Sequence, residues 1–335
     1  MFFIKQLIKR SDAMNRKSVI KLVTILIGVL FLAPFVPSHV FAWGSATHAY
    51  IDDHLGKSGP LKNLNEMYGG MATDVFNYLF SNLDWLNYFY METHYENNIA
   101  LCNEADTTLE KAVAFGYTSH DAVIGADATA HGTYDYAAPY GYVIEKAVAM
   151  AEIPQVKSFL NSFGMVQNDL VTVAGYELCH TFVESAVDLL VAGGDRDLGR
   201  KISAAAVVRI PEFPSLLVKA YARGFAETFG VKYRAAVSTI RSAESEFRRN
   251  MISYGFALAQ EPEIAQGLIC EQLASLAPAF LAAYGVTVPE DADLTALSNY
   301  LMGFAIVVCE ADYLATVNET ITFVSTNLAS MGISY

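Results

Sequence analysis

Apolar positions recur at helical spacing along most of this chain, and alternating Val/Ile/Thr runs are scarcely present, so the pattern predicts an all-α protein. Ser45–Leu55 reads as a short first helix, stopped by Gly56 and the Gly59-Pro60 pair. A second helix is expected over 107–130, with Asp106 as its cap and Gly132 just past its end. Asp169 is the expected cap of a third over 170–191, closed by Gly193-Gly194. Its circumference is mostly apolar, which places it centrally.

Beyond Gly194, amphipathic stretches alternate with breakers at Pro211, Pro214, Pro262, Pro278 and Pro289. Residues 215–259 read as one or two long helices carrying most of the arginine, and 291–331 as two more. The apolar stretch 301–309 is too short to span a bilayer and reads as core. No internal repeat is visible. The expected organisation is a multi-helix single domain, with 43–194 as its chemical core and 195–335 as a helical part of the same domain or an extension of it.

The first 42 residues read as a separate object. Lys5, Lys9, Arg10, Arg16, Lys17 and Lys21 precede an apolar run over 22–36, the pattern of an export signal. Small residues at Val40 and Ala42 mark the bond before Trp43 as the expected cleavage point, which would make Trp43 the new N-terminus of a secreted or periplasmic protein. An uncleaved anchor would need an apolar run of ~20 residues.

The chain has 335 residues and 53% apolar content, enough for a large folded domain. Lys plus Arg number 22 against 35 Asp plus Glu, a net charge of -13, so broad electrostatic capture of nucleic-acid backbone is not expected. Losing the leader removes six basic residues and one acid, Asp12, and leaves the rest more acidic still. Cys102, Cys179, Cys270 and Cys309 are too few for a disulfide scaffold, although export would let any bridge among them persist.

Among seven histidines, His48, His94, His120, His131 and His180 keep informative company. His180-Thr-Phe-Val-Glu184 puts an imidazole and a carboxylate one helical turn apart, where both can close on one metal ion. Alone, such a pair is more often a helix-surface hydrogen bond. Its apolar flanks favour a metal, because an unpaired buried Glu184 would be costly. On a continuous helix His120, Asp127 and His131 would share one side, and Asp121 would point about 100° away from His120. Three such groups on one apolar helix exceed what an ordinary core tolerates. At a freed N-terminus, Trp43 could chelate a cation through its amine and carbonyl, with His48 close behind.

This ordered set resembles the bacterial zinc-dependent phospholipase C family, which shares a trinuclear zinc site and helical fold with the single-strand-specific fungal nucleases. The similarity covers the first half of the chain after the leader, from Trp43 to about Val191. It implies three zinc ions. Asp74, His94 and His120 would hold one, which Asp127 would help bridge to a second bound by Trp43 and His48; His131, His180 and Glu184 would hold the third. The family's bridging Asp follows its first helix histidine by four positions, here Ile124, so Asp127 takes the role with Asp121 as fallback. His54 stays unassigned.

The resemblance implies an exported zinc-dependent phosphodiester hydrolase, cleaving phospholipid in the manner of phospholipase C by a zinc-bound hydroxide. Zinc lowers the pKa of bound water from 15.7 toward ~7. Asp74 would take the proton from the attacking water. Phospholipid or another phosphodiester is the expected substrate, with peripheral membrane contact. The alternatives are a single-strand nuclease using the same site and an exported helical binding protein with structural zinc. Tyr50, Tyr78, Tyr95, Tyr117, Tyr134 and Tyr136 lie near the ligands and can stack on a choline-like head or a base, though aromatics at such spacing are more often core.

Overall fold

The computed structural model describes residues 43–56, 59–79, 82–132, 140–289 and 291–335. The leader expectation lies outside them, as do Tyr134 and Tyr136. The described residues fall in one compact unit and are predominantly helical, as the apolar periodicity requires.

In chain order the helices are α1 (Ser45–Leu55), α2 (Pro60–Ala72), α3 (Leu83–Met91), α4 (Ala100–Glu104), α5 (Thr108–Ser119), α6 (Ala126–His131), α7 (Tyr142–Ala151) and α8 (Pro154–Ser162). They continue as α9 (Val173–Gly194), α10 (Leu198–Val208), α11 (Phe213–Phe229), α12 (Tyr233–Leu258), α13 (Pro262–Ala283), α14 (Leu294–Cys309) and α15 (Tyr313–Ser330). A 3₁₀ turn, Thr73–Tyr78, extends α2, and a π turn, Glu92–Glu96, extends α3. Proline opens α2, α8 and α13, where its missing N–H has no intrahelical partner to lose.

Local chemistry sets several boundaries differently from expectation. The cap of α5 is Thr107, not Asp106: its hydroxyl accepts from Glu110 N while Glu110 Oε2 accepts from Thr107 N at 2.8 Å, a reciprocal capping box. The helix expected over 107–130 is interrupted. It ends at Ser119, and a second one, α6, starts at Ala126. Asp121 Oδ1 accepts from the backbone N–H of Val123 and Ile124, both at 2.7 Å, a turn that competes with helix continuation.

Asp169 does not cap α9. Asn168 and Asp169 have φ of 50° and 67°, as a type I′ turn demands, and they close a two-residue hairpin pairing Val166 with Val171 and Gln167 with Leu170. The helix therefore begins at Val173, after Thr172, and runs through Gly194.

As its apolar circumference predicts, α9 is central and packs against α1, α7, α13 and α14. A single apolar core runs from Trp43 to Leu328, so the helices after Gly194 share it. The 301–309 stretch contributes Leu301, Met302, Ala305 and Cys309. All four cysteines are free thiols.

Helices α2 and α5 pack backbone against backbone. A Cβ on Gly69 would lie 2.0 Å from the Val113 carbonyl, and one on Gly116 would lie 1.9 Å from that of Glu66. Only glycine permits this approach. Asp74 follows the end of α2 and His120 the end of α5, so the contact brings their side chains together.

Candidate metal centre

Eight of the nine residues expected to hold metal meet through their side chains in three adjacent buried groups: Asp74 with His94 and His120, His48 with His120 and Asp127, and His131 with His180 and Glu184. They come from α1, both short turns, the end of α5, α6 and α9.

Asp127 occupies the middle. Its Oδ1 is 3.2 Å from His120 Nε2 and 3.4 Å from His48 Nε2, while its Oδ2 is 3.8 Å from His94 Nε2. Asp74 adds contacts of 3.4 Å to His94 and 3.9 Å to His120. Donors ~2.1 Å from a tetrahedral ion stand roughly 3.4 Å apart. These separations suit ligands converging on cations better than hydrogen bonds.

The atoms facing the centre lack hydrogen-bond partners despite full burial: Nε2 of His48, His94 and His120, and both carboxylate oxygens of Asp127. Orphaned buried polar groups on this scale would be costly without an ion. The donor set of imidazole and carboxylate therefore fits zinc-like divalent metals.

The outer ring nitrogens of His94, His120 and His180 are held by the protein. His120 Nδ1 donates to the Gly70 carbonyl at 2.7 Å, and His94 Nδ1 lies 3.2 Å from the Tyr90 carbonyl and 2.7 Å from Thr93 Oγ1. These contacts fix the tautomer that leaves Nε2 available to a metal. Asn77 Nδ2 donates to Asp74 Oδ1 at 2.8 Å, and Glu177 Oε2 sits 3.5 Å from His180 Nδ1. In the third group His180 Nε2 is 3.4 Å from His131 Nε2 and 2.8 Å from Glu184 Oε1.

Electrostatics without metal follow from the crowding. Burial and the neighbouring His120 push His48 down to about 4. Burial also opposes charge on His120, but Asp127 and Asp74 outweigh it and lift the ring to about 9. The stacked rings, with centroids 3.7 Å apart, cannot both be charged, so His120 keeps the proton. Burial opposes ionisation of Asp127, yet its histidines hold it well below the usual carboxylate range. At the third group burial raises Glu184 to about 8, and Glu184 and Glu177 overcome burial to raise His180 to about 10.

Trp43 is fully buried, and its indole N–H lies 3.1 Å from the Ala126 carbonyl, the residue before Asp127. Its ring stacks on Tyr142 at 5.3 Å. Asp121, the fallback bridging acid, is not in any of the three groups. Its carboxylate is committed to the turn before α6, where Asn98 also donates to it. Of the aromatics, Tyr117 is core, Tyr50 lies against His54, and Tyr95 stays half-buried beside Tyr90.

Among the buried acids that sequence reasoning missed, Asp52 and Asp188 lie next to the site. Asp52 Oδ1 accepts from Ser119 Oγ at 2.6 Å, and Asp188 accepts four hydrogen bonds from α1 and α12. Both follow a ligand by one helical turn, Asp52 after His48 and Asp188 after Glu184, and that spacing was a usable signal. Comparison with known proteins adds nothing: no family profile, no curated protein and no solved structure matches this chain.

Proposed function

We propose that this protein is a zinc-dependent phosphodiester hydrolase acting on phospholipid in the manner of phospholipase C. The observation that carries the reading is Asp127, a fully buried carboxylate whose two unpartnered oxygens face His48 and His120 on one side and His94 on the other. A purely structural zinc site is normally closed by four protein donors. Here no group offers more than three side chains, and two of the groups share His120, which leaves room for water and substrate.

His120 has only Nε2 to give, because Nδ1 donates to Gly70, so it can serve one ion. The neighbouring pair, His48 and Asp127, then needs another donor. The main chain of Trp43, freed by cleavage, suits that need and the resemblance. Zinc in these groups would supply a Lewis acid for phosphate oxygens and a water acidic enough to ionise near neutral pH. Asp74, oriented by Asn77, is the residue proposed to accept the proton of the attacking water.

Phospholipid is favoured over nucleic acid by charge and surface. The chain carries no Lys or Arg after Arg249. Phe256, Ile264, Leu268, Tyr300 and Val307 of this region are exposed.

The test uses protein purified after export, incubated separately with phosphatidylcholine vesicles and single-stranded DNA, with and without chelator. Chelator-sensitive release of diacylglycerol is expected. Cleavage of DNA alone would transfer the site to the nuclease reading. Bound zinc with no hydrolysis of either substrate, nor of a chromogenic phosphodiester, would leave a binding protein.

A further inference from the structure

Asp188 lies on α9 one turn beyond Glu184 and is buried. The first turn of α1 has no side-chain cap of its own, and its leading N–H groups need acceptors. Asp188 provides them from a helix far away in sequence. Its Oδ2 accepts from Ala46 N at 2.9 Å, and its Oδ1 accepts from Thr47 N and from Thr47 Oγ1, both at 2.7 Å. Tyr254 on α12 donates to Oδ2 at 2.5 Å. Gly44 is pressed against the same carboxylate, since a Cβ there would lie 2.4 Å from Oδ2.

The residues held this way sit between Trp43 and His48. The helix doing the holding carries His180 and Glu184. One carboxylate thus fixes the start of α1, which presents His48 to Asp127, relative to the helix that presents two ligands of the third group.

We propose that Asp188 is a positioning residue that sets His48 and the Trp43 main chain in register for the ion they share with Asp127. This rests on the metal reading given above. A carboxylate acting as cap in trans suits the role because it accepts several hydrogen bonds at once and its negative charge complements the positive end of the α1 dipole. Asparagine keeps the shape but has one acceptor oxygen and an amide that faces the α1 donors.

The test compares metal-free wild type, Asp188→Asn and Tyr254→Phe by zinc titration against a chromophoric competitor and by hydrogen exchange of the α1 amides. Wild type is expected to take three zinc ions. In Asp188→Asn one of them should bind ~10–100-fold more weakly, the range for a lost supporting partner, with the other two unchanged. The Ala46 and Thr47 amides should lose protection while those of α9 keep theirs. Tyr254→Phe, which spares every α1 contact, should fall between.

Unchanged affinities and protection in Asp188→Asn would overturn the proposal. Equal weakening of all three ions with protection lost throughout would also overturn it, as the mark of general destabilisation. If Asp188→Asn does not fold, Thr47→Val, which removes one hydrogen bond to the same carboxylate, carries the same expectation in milder form. A wild type that takes no zinc would defeat the metal reading itself, and the exchange of the α1 amides would still report on Asp188.

Discussion

Asp127 Oδ1 stands 3.2 Å from His120 Nε2 because the chain between them leaves the helix, and Asp127 N donates back to the His120 carbonyl at 2.9 Å. Two residues that a continuous helix would set nearly two turns apart along its axis become neighbours. Asp127→Asn should therefore retain the fold yet bind at least one metal ion ~10²-fold or more weakly, beyond the loss typical of an outer partner. Metal analysis after dialysis at fixed free zinc measures this, and full zinc retention would remove Asp127 from the centre.

The turn itself depends on Asp121. Asp121→Ala would strip the acceptor from the Val123 and Ile124 amides and from the Asn98 side chain. A loss of ~1–3 kcal/mol in unfolding free energy is expected. Denaturant titration of the metal-free protein reads it directly, and an unchanged midpoint would show the turn holding without Asp121.

Metal uptake should release protons. In the metal-free protein Asp127 and Asp74 raise His120 to about 9, and His180 and Glu184 share protons as one buried pair with both members raised, so both sites hold protons at pH 7. The stabilising contribution of His120 is complete below the ordinary histidine value and is lost as pH rises through about 9. Zinc requires the unprotonated ring, so apparent affinity should climb with pH across that window. Calorimetry at pH 7 in buffers of different ionisation enthalpy would count the protons, and buffer-independent heats would contradict this account.

Chelation should lower thermal stability. The ions would bind the native arrangement and not the unfolded chain, so their removal withdraws stabilisation by mass action, ~4 kcal/mol for a site saturated a thousandfold above its dissociation constant. Melting curves with and without chelator test this, and coincident curves would deny the centre any role in the fold.

The α2–α5 approach should tolerate no side chain. Gly116→Ala would force the helices apart at the Glu66 carbonyl, with a loss of ~1–3 kcal/mol or more. Because Asp74 and His120 follow those helices, zinc affinity should fall with stability. Wild-type zinc affinity in a destabilised Gly116→Ala would separate the packing from the site.

What the sequence determined by itself was helical periodicity, the bounds of α1, the central place of α9 and the order of the candidate donors. Those depend on residue type and short spacing, so His180 and Glu184 could be read one turn apart without knowing the fold. The break in the 107–130 segment has a local part, the Asp121 side chain on the Val123 and Ile124 amides, and a part that tertiary contacts decided. Gly125 was its local sign, but Asn98 on Asp121, the His94 carbonyl on Ala122 N and Asn327 on the Ile124 carbonyl come from remote parts of the chain. Asp188 is the same case. Its spacing after Glu184 was visible, yet its partners at Ala46, Thr47 and Tyr254 were not, because a buried carboxylate takes whatever donors packing delivers to it.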